Sequence, residues 1–229
     1  MRFDKLDSDI LQYLVQNHVA PGERVPSLTE LSEELGISVG KLREQLELAR
    51  HLEIVSVRPR KGIRREPFDF RPALLTSLMF GLATDEATFK QYSQLRQRVE
   101  AGFWLEAVQK LTSQDIQELR ALLSRARGKL HGTPPHIPNQ EHRDFHLKLF
   151  ARLDNPFVNG VLEAYWDAYD AVEVTAFASY RYWLDVWDYH ERIVDAIEAS
   201  ELERSQELLV AHFALLREAP NFSQNGNSS

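Results

Sequence analysis

Residues Ser27–Ala49, SLTELSEELGISVGKLREQLELA, decide the fold. Ser27 and Glu30 have the spacing of a capping box, in which two side chains satisfy the first free N–H groups of a helix. Leu28, Leu31 and Leu35 then recur on one face, and Gly36 stands where a helix ends in a left-handed residue. Ser38 can cap a second helix, with Leu42, Leu46 and Ala49 on its buried side. Two short helices joined by a glycine-containing turn form a helix-turn-helix, whose second helix would enter the DNA major groove by its N-terminal residues. Val39, Gly40, Lys41, Arg43 and Glu44 are the residues predicted to face outward there. Helical hairpins of this size also occur as plain packing units.

Working outward, DSDILQYLVQNH (7–18) predicts a first helix, and Pro21-Gly22 a turn. Downstream, HLEIVSVRPRKGIRRE reads as a β-hairpin, with Ile54–Val57 as one strand, a turn around Pro59–Gly62 and a return strand at Ile63. Five cations and no acid lie between Arg58 and Arg65. Such runs are commonly solvated loops, but directly behind a helix-turn-helix this one reads as a wing reaching phosphates or the minor groove. The net charge of −7 opposes DNA binding only while it is undivided. Residues 1–66 carry 11 Lys+Arg and 11 Asp+Glu, whereas residues 67–229 carry 16 and 23. An acidic body would repel DNA and confine contact to the N-terminal part.

This first third resembles the GntR-type winged-helix regulators. Their pattern has a Pro-Gly, then LPSxxxLAxxLGVSRxxVRxALxxLxxxGLV, then a glycine-containing wing. Pro21, Gly22, Pro26, Ser27, Leu31, Leu35, Gly36, Ser38, Arg43, Leu46 and Gly62 fit it. Ala49 stands where the pattern has Leu. Val39 replaces the Arg that commonly follows the capping Ser, and Lys41 replaces a common Pro. Arg reads guanine by a bidentate contact and Val does not, so the operator is expected to differ from the usual one. The resemblance implies a palindromic double-stranded operator and a homodimer. The implied DNA contacts are Ser27, Ser38, Val39, Lys41 and Arg43, with Arg58, Arg60, Lys61 and Gly62 in the wing.

Residues 67–72 read as a linker, and residues 73–218 as an all-helical domain. Helices are predicted near 72–82, 85–109, 113–130, 139–153, 156–180, 185–199 and 201–217. Ser200–Glu203 reads as another capping box, and the polar tail 219–229 as disordered. The expected fold is mostly α: a head of three helices plus a β-hairpin on residues 1–66, then a bundle of six to seven helices. The chain has no cysteine, which suits a reducing cytoplasm and excludes thiolate metal sites. It has no signal-peptide core and no apolar run of membrane-spanning length.

Four of the eight histidines occupy apolar helix faces. His142 and His146 are i and i+4 and project together; His190 shares a face with Ile193, Val194 and Ile197; His212 is flanked by Leu208, Leu209, Leu215 and Leu216. Each alone reads as a hydrogen-bonded core residue. Four together are hard to bury neutral without a shared partner, and a divalent cation would supply one. Spacing alone leaves both readings open. Arg96, on a face with Tyr92, Val99 and Phe103, is equally compatible with a stem laid along its helix. Trp166, Tyr169 and Tyr165 are candidates for pocket wall or for plain core.

Residues 85–217 resemble the helical ligand-binding domain of the FadR branch of these regulators. That domain carries Asp-x-x-x-His, a His in HxxIxxAI, and a last His some 22 residues on. Here HRDFH provides His142 and His146, His190 opens HERIVDAI, and His212 lies 22 positions later. His142 stands where Asp is usual, and Asp144, two residues from His146, points elsewhere. The resemblance implies one divalent metal ion per chain on His142, His146, His190 and His212. A site of nitrogens without a protein carboxylate favours Zn or Ni. It also implies that Arg96, in a segment matching LRxxxE with Leu95 and Glu100, holds a small organic acid effector by a charge-assisted hydrogen bond. Two other readings are a metal-dependent hydrolase and a metal-free acyl-CoA-responsive regulator. The first is weakened because no Glu or Asp stands evidently beside the cluster and no H-E-x-x-H occurs; the four core histidines oppose the second.

Overall fold

The computed structural model describes residues 5–172 and 179–217, apart from the side chains of 216 and 217. The chain divides into two compact units, Met1–Ala73 and Leu74–Ser229. In the first, α1 (Asp9–Gln16), α2 (Leu28–Leu35) and α3 (Val39–His51) pack on a small sheet of β1 (Arg24–Val25), β2 (Val55–Arg58) and β3 (Gly62–Arg65). The capping box forms in both directions: Ser27 N–H donates to Glu30 at 2.7 Å, and Glu30 N–H to the Ser27 hydroxyl at 3.3 Å. Gly36 adopts φ 68°, the left-handed conformation that ends α2. Ser38 caps α3 by accepting from Lys41 N–H. Leu31, Leu42, Leu46 and Ala49 meet Ile10, Leu14, Val25, Val55 and Ile63 in one core. The smaller Ala49 is fully buried, so the position that departs from the family pattern is still a core position.

The hairpin expected from the sequence is a three-stranded antiparallel sheet in the order β1-β3-β2. Arg24 pairs with Arg64 and Val25 with Ile63, while β2 pairs with β3 from Val55↔Arg65 to Arg58↔Gly62. At the tip, Lys61 N–H donates to Arg58 O across Pro59 and a left-handed Arg60 (φ 64°), the pattern of a type II turn.

The second unit begins within α4 (Arg71–Thr84), which straddles the division. It contains α5 (Ala87–Gln109), α6 (Ser113–Leu130), α7 (Asn139–Phe150), α8 (Pro156–Ala171), α9 (Tyr180–Glu198) and α10 (Leu202–Arg217). With α4 that makes seven helices after the wing among the described residues, and a mostly α architecture. Three of the starts have a local cause. Thr112 and Asp115 form a capping box on α6, Asn155 with Pro156 starts α8, and Ser179 caps α9.

Ser200 does not cap α10. It lies at φ 60° just after α9, with Ser200 N–H donating to Ile197 O and Glu201 N–H to Ala196 O, which is a Schellman ending. The boundary falls where expected, but the serine closes one helix rather than opening the next. The expected disordered tail 219–229, the stretch 173–178 within the helix expected over 156–180, and the side chain of Leu216 lie outside the described residues. No described helix is long and apolar enough to cross a membrane.

Candidate metal centre and nucleic-acid surface

α7 contributes His142 and His146 one turn apart; α9 contributes His190 and α10 His212. All four are buried, and one ligating nitrogen from each lies within 4.8 Å of the others. His190 Nε2 and His212 Nε2 are 3.3 Å apart. Two nitrogens sharing an ion at about 2.0–2.1 Å, with bond angles of roughly 90–109°, stand roughly 2.9–3.4 Å apart, so this pair already has ligand spacing. The His142 ring lies 5.1 Å from both His146 and His190, centroid to centroid. Burial, reinforced by Arg96 and, for His142, His190 and His212, by neighbouring imidazoles, holds all four well below the ordinary imidazole value and therefore neutral, the ligating form.

Buried polar atoms are normally paired. Here both nitrogens of His142, and Nδ1 of His190 and of His212, have no hydrogen-bond partner. Two unpaired nitrogens on His142, close to His190 and His212 Nε2 atoms that face each other rather than an ordinary partner, fit a divalent cation. The ordinary core histidine would show a hydroxyl, carbonyl or carboxylate at those atoms.

Arg96 sits beside the cluster, also buried. Its Nε donates to Glu100 Oε1 at 2.8 Å and its Nη2 lies 2.9 Å from His146 Nδ1. The guanidinium stacks over Tyr165 at 4.5 Å and near Phe213 and Trp166. Arg96 is thus a buried, paired charge, not a stem along the surface. Glu100, named from the sequence only as the acid of the LRxxxE match, stands beside the cluster, a place that sequence reasoning missed. Its Oε2 lies 3.4 Å from His146 Nδ1 and has no hydrogen-bond partner, so an acid does stand beside the cluster. The signal was present, since Glu100 follows Arg96 by four residues. Asp144 accepts from Gln140 at the exposed side of α7, as its spacing from His146 predicts.

The aromatics form a closed wall. Trp166, Trp183, Tyr169 and Trp187 surround the His142 ring at 4.7, 5.7, 6.1 and 6.1 Å. Sequence reasoning also missed Trp183 and Trp187, although they lie seven and three residues before His190 on one helix face. Arg96, Gln97, His142, Tyr182, His212 and Phe213 border a cavity of about 10 Å³, space for one water molecule.

In the first unit, Ser38, Lys41 and Arg43 are exposed at the start of α3, and Val39 is half-buried. Ser27 and Ser38 are exposed, with their hydroxyls engaged as caps. Lys41 is tied to Asp9 at 2.8 Å, and Asp9 also accepts from Gln45. Arg58, Arg60 and Lys61 project from the wing tip and Gly62 turns it at φ 74°. Arg64 and Arg65 serve the head itself, since their guanidinia donate to the carbonyls of Gly22 and Val19. Of the five clustered cations, two hold the sheet to the head and three face outward.

A winged helix-turn-helix joined to a helical domain with a buried histidine cluster points to a DNA-binding regulator. Residues 4–64 match the model of "Bacterial regulatory proteins, gntR family", and residues 91–215 match that of the FCD domain. The chain belongs to the GntR family of transcriptional regulators and carries an FCD domain as its effector-binding part. It is similar to the "Uncharacterized HTH-type transcriptional regulator YcbG" of Bacillus subtilis, at 22% identity over 91% of this chain and 85% of that protein. Among solved structures it shares its fold with a Streptococcus agalactiae GntR protein (TM-score 0.66, 18% identity, 91% and 95% of the two chains). Another is E. coli McbR/YncC (TM-score 0.50, 20% identity, 88% and 90%). The family is one of transcriptional regulators, and the hydrolase reading falls with that assignment.

Proposed function

We propose that this chain is a dimeric, metal-dependent transcription regulator of the FadR branch, acting in the cytoplasm on a palindromic operator. Residues 1–66 form the DNA-binding part, 67–72 the linker and 73–218 the sensing and dimerising part. The observation that carries the sensing half is the set of four buried imidazoles, each offering a ring nitrogen within 4.8 Å of the others, with both nitrogens of His142 unpaired. His142, His146, His190 and His212 would hold one divalent ion, and four nitrogen donors favour Zn or Ni. A bound ion would supply positive charge in a buried site and tie α7, α9 and α10 to one point.

The effector is a small carboxylate beside the ion. Arg96 would contact it by sharing or exchanging Glu100, its present partner. A water-sized cavity means that the ligand must move side chains to enter, and that displacement is the differential contact a conformational signal requires. The same water-sized cavity, bordered by Arg96, His142 and His212, opposes a long acyl thioester. DNA contact would come from Ser27, Ser38, Val39, Lys41 and Arg43 and from Arg58, Arg60, Lys61 and Gly62, with charge supplied by the lysines and arginines.

Two measurements test this. Elemental analysis should find one Zn or Ni per chain, lost when His190 or His212 becomes Ala. Binding to duplexes from the chain's own upstream region should fall with salt, exceed binding to random duplex, and respond to chelator. Metal-free protein of full stability, or equal affinity for random duplex, rejects the respective half.

A further inference from the structure

The charges and hydrogen-bonding groups around the four imidazoles do not balance. Histidines that ligate a metal are neutral, so a divalent ion on this set keeps both of its positive charges. Among the described residues, the charged side chains that face the four rings are Arg96 and Glu100, and they cancel across a 2.8 Å contact. A second imbalance is independent of the ion. The indole N–H groups of Trp166, Trp183 and Trp187 and the hydroxyl of Tyr169 are buried without a hydrogen-bond partner. An indole can only donate. These are the rings packed around His142. The rings around His142 therefore leave four buried donors without acceptors, while the unpaired Glu100 Oε2 stands 3.4 Å from His146 instead.

We propose that the ligand of this site is a small dianion, a short-chain dicarboxylate, that neutralises the bound ion and accepts hydrogen bonds from the surrounding indole and phenol groups. The proposal rests on the metal reading above and narrows its effector. A neutral ligand leaves two buried positive charges and a monocarboxylate leaves one, and an uncompensated buried charge is costly. Two carboxylates offer enough acceptor positions for the orphaned donors. The cavity sets the size: each added carbon displaces more of a close-packed aromatic wall, which favours the shortest diacids.

Calorimetric titration of the full-length protein tests this, after loading with one Zn per chain verified by elemental analysis. The probes are oxalate, malonate and succinate against propionate and butyrate, which match the last two in length and differ by one carboxylate. At least one diacid should bind about tenfold or more tighter than its matched monoacid, and Zn-free protein should bind neither. His142→Asp keeps a ligating group and lowers the site charge by one, so it should remove most of that preference while retaining Zn. Trp166→Phe keeps a ring and deletes one N–H, and should weaken the diacid about three- to tenfold with Zn content unchanged. If Zn binds but diacids and monoacids bind alike, or no diacid binds, the dianion inference is overturned and the metal site stands. If no Zn binds, the metal reading itself fails and the inference goes with it.

Discussion

Replacing Asp115 by Asn should destabilise the helical domain by about 2–3 kcal/mol. The Asp115 carboxylate is fully covered and serves several donors at once. It accepts from Thr112 N–H at 2.8 Å and from the Thr112 hydroxyl at 2.6 Å, closing the cap of α6. It also takes Arg152 through Nε at 2.9 Å and Nη2 at 3.2 Å, and Lys148 Nζ lies 2.7 Å away. Lys148 belongs to α7, the helix that carries His142 and His146, and Arg152 lies just past its C-cap Ala151. Asparagine fills the same space, but it has no charge and turns an amide N–H₂ toward cationic donors. Breaking a fully buried pair costs about 3–5 kcal/mol and a surface pair about 0–1. Arg152 is 49% exposed and Lys148 21%, which places this clamp between the two.

For a domain of this size the loss should lower the melting temperature by roughly 5–10 °C. The donors hold the Asp115 carboxyl well below the usual carboxylate range, Arg152 foremost, then Lys148 and Thr112. A depressed folded-state pKa gives stability that is present above the unfolded value and lost as pH falls through the folded one. The gap between wild type and D115N should therefore be constant from about pH 5 to 8 and narrow only below about pH 4. Circular dichroism melts across that range read both quantities. Equal melting temperatures at pH 7, or a gap that widens on acidification, would refute the reasoning.

Three other outcomes are expected. Arg58→Ala and Lys61→Ala should each weaken binding to all duplexes alike and reduce the salt slope by about one unit, read by titration at several salt concentrations; an unchanged slope would mean that the wing tip does not meet phosphate. Asp9→Asn releases Lys41 and removes a negative charge beside the reading helix, so affinity for duplex should rise about two- to fivefold at low salt and less at high salt; a fall would assign Asp9 to positioning Lys41. Ser200→Gly should stabilise the helical domain by about 0.5–1 kcal/mol, because glycine occupies a left-handed Schellman position without the steric cost borne by serine; a lower melting temperature would contradict that.

Features set by neighbours in the chain were legible from the sequence. The Ser27–Glu30 box, the Gly36 ending and the buried sides of α2 and α3 each follow from residues within one or two turns. The inward faces of His142, His146, His190 and His212 were legible for the same reason, since helical spacing says which side chains point into a bundle. It does not say what they meet there. Glu100 and His146 are far apart in sequence, and their approach depends on how α5 packs beside α7. Trp183 and Trp187 carried the right spacing relative to His190 but resemble any aromatic stripe. β1 is two residues long, too short for an alternating pattern, and exists because β3 offers it an edge. Ser200 shows how a local motif can mislead: Ser-x-x-Glu occurs there, yet the preceding helix needed a closing residue more than the next one needed a cap.

The two guanidinia that anchor the wing have a consequence for what any signal can achieve. Arg64 and Arg65 fasten the sheet to the carbonyls of Gly22 and Val19, while Val55 and Ile63 sink into the same core as Leu42 and Leu46. Probe and finger are thus cast as a single rigid stamp. A message arriving from elsewhere in the molecule can change how often that stamp lands, or the distance to a second one, but the letters it prints are settled when the head folds.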